Sequence, residues 1–147
     1  EVVINAHLLV GRRGSSALFP NAKFIVQENE FKFACAPERF QQSAYMRELF
    51  DLKMDFQLIR GERRIADDVF LVPTPGHSFG HQSVIVKDGD KNYVYCGDAA
   101  PIKENLERRN IPGVLYCPEK ALKSIDQLRT VQDAVYIYSH DNEQLKL

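Results

Sequence analysis

Between two apolar runs, Val69-Phe70-Leu71-Val72 and Val84-Ile85-Val86, lies the stretch Thr74-Pro75-Gly76-His77-Ser78-Phe79-Gly80-His81-Gln82-Ser83. Short β-rich runs with Pro and Gly between them read as strand, tight loop, strand. Pro75 fixes its own φ and Gly76 tolerates dihedrals that other residues avoid, so the loop can hold the His77 imidazole at a set angle just past a strand end. Rigid scaffolds present catalytic and metal-binding groups on such loops. A lone loop histidine is more often a hydrogen-bonded or surface residue, but here the pattern recurs. Val2-Val3-Ile4-Asn5-Ala6 leads to His7, Tyr93-Val94-Tyr95-Cys96-Gly97 leads to Asp98, and Val135-Tyr136-Ile137-Tyr138-Ser139 leads to His140. Strands that each deliver a His or Asp at their C-terminal ends assemble a metal site from distant segments of sequence.

The remaining pattern supplies the frame. Strands are predicted over Val2–Asn5, buried on both faces, and over Ala22–Gln27. Glu28–Ala34 reads as a short helix, with Glu28 and Glu30 favourable near its N-terminus. Pro37–Phe50 reads as a longer helix with Pro37 in its first turn and Phe40 on its apolar side. Phe56–Ile59 and Arg64–Ala66 read as a hairpin turned at Gly61, leading into Val69–Val72. Gln82–Val86 and Asn92–Cys96 read as another, turned at Asp88-Gly89-Asp90. Pro101–Gly113 is polar and irregular. Pro118–Val131 is an amphipathic helix with Ala121, Leu122, Ile125 and Leu128 on one face, and Ala134–Tyr138 is the last strand.

In the order and spacing of its motifs the chain resembles the metallo-β-lactamase superfamily, and within it the N-acyl-homoserine lactonases. The resemblance is carried by Thr74 to Ser83, Gly97-Asp98-Ala99, Lys103-Glu104-Asn105, the helix beginning near Pro118, and Ser139-His140-Asp141. It implies an α/β fold: an αβ/βα sandwich, here mainly its C-terminal half, with a mixed sheet and flanking helices. It also implies hydrolysis by water activated on one or two metal ions, usually zinc. Residues 1–147 are expected to form a single, partial domain, since the family's complete domain carries further strands and helix before its His-rich motif.

That motif, His-x-His-x-Asp-His, falls on His7-Leu8-Leu9-Val10-Gly11-Arg12. The resemblance makes His7, His77, Asp98 and His140 metal ligands, while Leu9, Gly11 and Arg12 stand where other ligands should be. Pro101 occupies the place of a tyrosine that positions substrate in the lactonases. His7, His77 and Asp98 with a water make the ligand count of one catalytic zinc, held weakly. Asp98 would then be ligand and proton acceptor, and His140 a nearby acid or hydrogen-bond donor. The opposite reading has the Arg12 guanidinium pairing with Asp98 in place of the metal.

Two functions from different classes therefore stay open. One is a slow zinc-dependent hydrolase of a lactone or other small ester; the other is a metal-free scaffold or binding module that kept the fold and lost the chemistry. Nucleic-acid binding is a weaker alternative, prompted by Arg12-Arg13, Arg63-Arg64 and Arg108-Arg109. A net charge of −1 with 27% charged residues gives no bias toward nucleic acid or membrane. No apolar run approaches the roughly 20 residues that span a bilayer. Cys35, Cys96 and Cys117 lack Cys-x-x-Cys spacing and read as reduced thiols of a cytoplasmic protein. A partial sandwich would leave one inner sheet face uncovered, so a homodimer is expected.

Overall fold

The computed structural model of the chain describes residues 1–9, 19–46 and 54–145. Its elements are β1 (Val2–Ile4), β2 (Lys23–Gln27), α1 (Glu28–Cys35), β3 (Asp55–Ile59), β4 (Arg63–Ala66), β5 (Val69–Pro73), β6 (Gln82–Asp88), β7 (Lys91–Tyr95), α2 (Lys103–Glu107), α3 (Pro118–Arg129) and β8 (Ala134–Ile137). They form two sheets: a parallel three-stranded sheet ordered β1-β2-β3, and a mixed five-stranded sheet ordered β4-β5-β6-β7-β8. β4 to β7 pair antiparallel, and β8 joins β7 in parallel after the α2–α3 crossover.

Period-two alternation decides what each strand buries. On β6, Val84 packs into the cluster of Ile25, Ile59 and Leu71 that joins the two sheets, while its neighbour Ile85 packs on the opposite face. There α3 lays Ile125 and Leu128 against Val94 and Cys96. Pro118 starts α3 at a first-turn position, where its missing N–H costs nothing. A third cluster, Leu8, Val26, Ala34 and Tyr45, fixes α1 to the three-stranded sheet. The result is the α/β architecture with mixed sheet and flanking helices that the motifs imply.

Four expectations need correction. Val2 is 57% exposed, because β1 is an edge strand and not a doubly buried one. Residues 56–59 and 64–66 do not form a hairpin: β3 pairs in parallel with β2, and β4 pairs with β5. Gly61 carries the chain from one sheet to the other, held by the Gln27 amide, which donates to Gly61 O at 2.9 Å and accepts from Gly61 N at 3.1 Å. The described part of Pro37–Phe50 is a 3₁₀ segment, Arg39–Ala44, with Phe40 67% exposed. Tyr45 leaves it to reach the carboxylate of Glu30, a tertiary contact that overrides local propensity. Pro101–Gly113 contains the short helix α2, whose Asn105 side chain accepts from Ile102 N at 3.0 Å. The basic stretch Gly11–Ser16 and the Leu49-Phe50 end of the expected helix lie outside the described residues.

Candidate metal centre

The strand ends converge on Asp98. It sits in a single turn after β7, where Gly97 has φ 55°. Any Cβ there would stand 2.7 Å from Nε2 of His81, so the turn needs glycine. His7 Nε2 lies 3.2 Å from Oδ2 of Asp98, and His77 Nε2 lies 3.4 Å from the same oxygen. On Oδ1, Ser139 donates at 2.6 Å and His140 Nε2 lies 3.3 Å away, with the His140 ring 67% exposed. The four residues that the motifs single out are therefore brought together in one subunit.

The His77 ring is held from behind. His77 Nδ1 donates to Val114 O at 2.9 Å, which leaves the Nε2 lone pair directed at the site. Its loop is pressed onto α3: Gly76 has φ 135°, and a Cβ on it would meet Ala121 N at 2.2 Å. Burial, followed by the charge of His7, lowers the pKa of His77. Burial works against ionisation of Asp98 as well. The hydrogen bonds from His7 and Ser139 and the charges of His7 and His77 outweigh it, and the carboxyl lies well below the usual carboxylate range.

Three further residues support the site, and no sequence pattern marks any of them as functional. His81 is fully buried and accepts Asp98 N at Nε2, 3.0 Å, which places its proton on Nδ1. That proton goes to Thr74 Oγ1 at 2.8 Å; Thr74 in turn contacts Ser83 Oγ at 2.8 Å, and Ser83 donates to Cys96 O at 3.1 Å. Burial and the neighbouring His7 and His77 push the His81 pKa well below its ordinary value, so it is a neutral brace under Asp98. Ser139 was visible only as the neighbour of His140. Glu30, by position a helix-start acid, is entirely buried. The usable signals were Gly80 and Gly97, each demanded by a close approach to Glu30 or His81.

One ligand atom each from His7, His77 and Asp98 lies within 4.8 Å of the others. Ligands at about 2.0–2.1 Å from a tetrahedral zinc stand roughly 3.3–3.4 Å apart along each edge. The two Nε2–Oδ2 separations, 3.2 and 3.4 Å, match that edge, and the third edge, between the histidines, is at most 4.8 Å, so residue types and spacing suit one zinc ion. His140 faces the other carboxylate oxygen and stands outside this three-atom group. One feature opposes the ion: Leu9 N donates to His7 Nδ1 at 3.2 Å, which puts the His7 proton on Nε2, facing Asp98. Arg12 lies outside the described residues. The other paired arginines include salt-bridged members: Arg64 with Asp67, Arg108 with Glu104, and Arg109 with Asp126. Among the described residues, no helix is long and apolar enough to cross a membrane.

A carboxylate flanked by histidines from separate strand ends, on a two-sheet α/β frame, makes a candidate metal site. A profile of the Metallo-beta-lactamase superfamily matches residues 15–140, and the chain belongs to that superfamily. It is 32% identical over 152 residues to N-acyl homoserine lactonase AttM of Rhizobium radiobacter, covering 96% of this chain and 58% of that protein. It is 33% identical over 148 residues to N-acyl homoserine lactonase AiiA of Bacillus thuringiensis subsp. kurstaki, covering 98% and 57%. The fold superposes with a TM-score of 0.86 and 32% identity on an N-acyl homoserine lactone hydrolase with the product N-hexanoyl-L-homoserine bound at its catalytic metal centre, covering 99% of this chain and 57% of that one. The chain thus spans under three-fifths of these relatives, 57–58% of their length.

Proposed function

We propose that this chain is a metal-dependent hydrolase of the lactonase type, acting on a lactone or other small ester and holding a single zinc ion weakly. The observation that supports this reading is the convergence of His7, His77 and Asp98 with their ligand atoms within 4.8 Å. When bound, zinc supplies a Lewis acid for the ester carbonyl and acidifies a water. Asp98 would offer Oδ2 to such an ion, while Ser139 holds its Oδ1 at 2.6 Å. In this reading Asp98 is also taken as proton acceptor, and exposed His140, 3.3 Å from its Oδ1, is placed to hydrogen-bond a departing alkoxide. His140 N donates to Pro101 O at 2.9 Å, so the residue at the lactonase tyrosine position helps place the histidine. Tyr116 N donates to His77 O at 3.0 Å, and the Tyr116 ring meets Phe79 edge-on, Phe79 stacks on Phe33, and exposed Phe40 stacks on Tyr116 at 6.1 Å. This apolar shelf suits the hydrocarbon part of an ester.

Zinc content and lactone turnover of wild type and His77→Ala test the reading. Zinc-dependent turnover that disappears in the variant is expected; wild-type protein that takes up no zinc would overturn it. The second reading, a metal-free scaffold, is favoured by the Leu9–His7 hydrogen bond, which protonates the ligand nitrogen. We further take the chain to act as one partial domain in a homodimer, in a reducing cytoplasm that suits its unpaired cysteines. On the sheet face shared with Leu71 and Val84, Ile137 is 42% exposed and Val86 37%, an apolar surface that a second copy would cover. A monomer in sedimentation at micromolar concentration would remove the dimer.

A further inference from the structure

Among the described residues, no cation pairs with Glu30. Its carboxylate lies at the first turn of α1, fully buried, and every hydrogen bond it receives comes from a neutral donor. Oε1 accepts Leu8 N at 2.9 Å and Tyr45 Oη at 3.0 Å; Oε2 accepts Ser78 Oγ at 2.8 Å and Gly80 N at 2.7 Å. An unpaired buried carboxylate is costly and persists only where all its lone pairs are satisfied. The identity of the donors is informative. Leu8 follows His7 directly, and Ser78 and Gly80 follow His77 on the loop that then reaches His81. The loops come from chain positions far apart, yet the rings of His7 and His77 end 5.1 Å apart by centroid.

We propose that Glu30 is a positioning residue of the metal centre, its one carboxylate clamping together the two loops that carry His7 and His77. The inference rests on the reading of His7, His77 and Asp98 as a cation site. Gly80 is part of the device: a Cβ on it would stand 2.4 Å from Glu30 N, so only glycine lets its N–H reach Oε2. Two of its donors are backbone amides, Leu8 N and Gly80 N, so the clamp acts through backbone placement. Tyr45 provides an internal contrast, because it binds the same carboxylate from a segment that carries no ligand.

Cobalt(II) titration of wild type, Glu30→Gln, Ser78→Ala and Tyr45→Phe tests this, with affinity read by chelator competition, geometry by the d–d absorption, and stability by melting without metal. Glu30→Gln turns one acceptor into a donor facing other donors, and is expected to weaken cobalt binding about tenfold or more and to change the d–d band. Ser78→Ala should shift affinity and spectrum in the same direction by less. Tyr45→Phe should lower the melting temperature while leaving both nearly as in wild type. A folded Glu30→Gln with wild-type affinity and spectrum overturns the proposal. If that variant does not fold, equal cobalt affinities for Ser78→Ala and Tyr45→Phe overturn it. Wild type that binds no cobalt defeats the metal reading and this inference with it, whereas binding that is indifferent to the variants defeats the clamp alone.

Discussion

Replacing Thr74 by Val tests the polar chain beneath Asp98. Thr74 is fully buried, and its hydroxyl is the acceptor for His81 Nδ1 at 2.8 Å and the partner of Ser83 Oγ at 2.8 Å. Valine keeps the shape, so no cavity opens and packing changes little. Ser83 keeps its bond to Cys96 O, but the His81 Nδ1 proton is left buried with nothing to accept it. His81 cannot move that proton to Nε2 without losing Asp98 N. One orphaned buried donor costs about 1–3 kcal/mol, so Thr74→Val should destabilise by roughly 2 kcal/mol. For a chain of this size that corresponds to a melting temperature lower by about 4–8 °C. Thr74→Ser keeps the hydroxyl and gives up a methyl, costing about 1 kcal/mol. Urea unfolding of both variants in chelator, with unchanged m-values, measures the two terms separately. If Thr74→Val stays within about 0.5 kcal/mol of wild type, or Thr74→Ser costs more than Thr74→Val, the proposed direction of the hydrogen-bond chain is wrong.

Other consequences follow from burial and charge. His77 and His81 have pKa values below the ordinary 6.5 in the fold, so the unfolded chain takes up more protons and metal-free protein loses stability as pH falls below that value. The depressed pKa of Asp98 adds a further loss as pH drops through and below its ordinary 3.8; urea midpoints unchanged between pH 8 and 5 would show that these imidazoles charge freely in the fold. Burial pushes the Cys96 thiol up to about 12, so iodoacetamide at pH 8 should label half-buried Cys35 and Cys117 before Cys96, as peptide mapping would report. Gly76→Ala, with a Cβ 2.2 Å from Ala121 N, should cost about 3 kcal/mol or more. Gly61→Ala meets nothing within 4 Å and should cost only about 1–2 kcal/mol for its φ of 70°; comparable losses at the two sites would refute the close-approach argument.

How much of this was legible in advance depends on the range of the interaction. The strand-loop-strand around His77, the hairpin at Gly89 and the amphipathic face of α3 are written in period-two and period-3.6 patterns over a few residues, and the structure has them where the pattern puts them. The pairing of β3 was misread because β3 and β4 are adjacent in sequence, and adjacency favours a hairpin unless a distant strand competes; β2 does, through a five-residue parallel register. The expected helix beyond Pro37 failed for a similar reason, since Tyr45 is claimed by Glu30.

The chain by itself determined which residue types end which strands, and so put His7, His77, Asp98 and His140 at places where loops present them. Only the tertiary structure decided that the first three share one small volume while His140 faces the far oxygen of the carboxylate. It also decided that His81 is a brace and Glu30 a buried anchor. Strand ends and turns follow from dihedral preferences within a few bonds. Tautomer, burial and ligand spacing depend on contacts between residues dozens of positions apart, which no local pattern encodes.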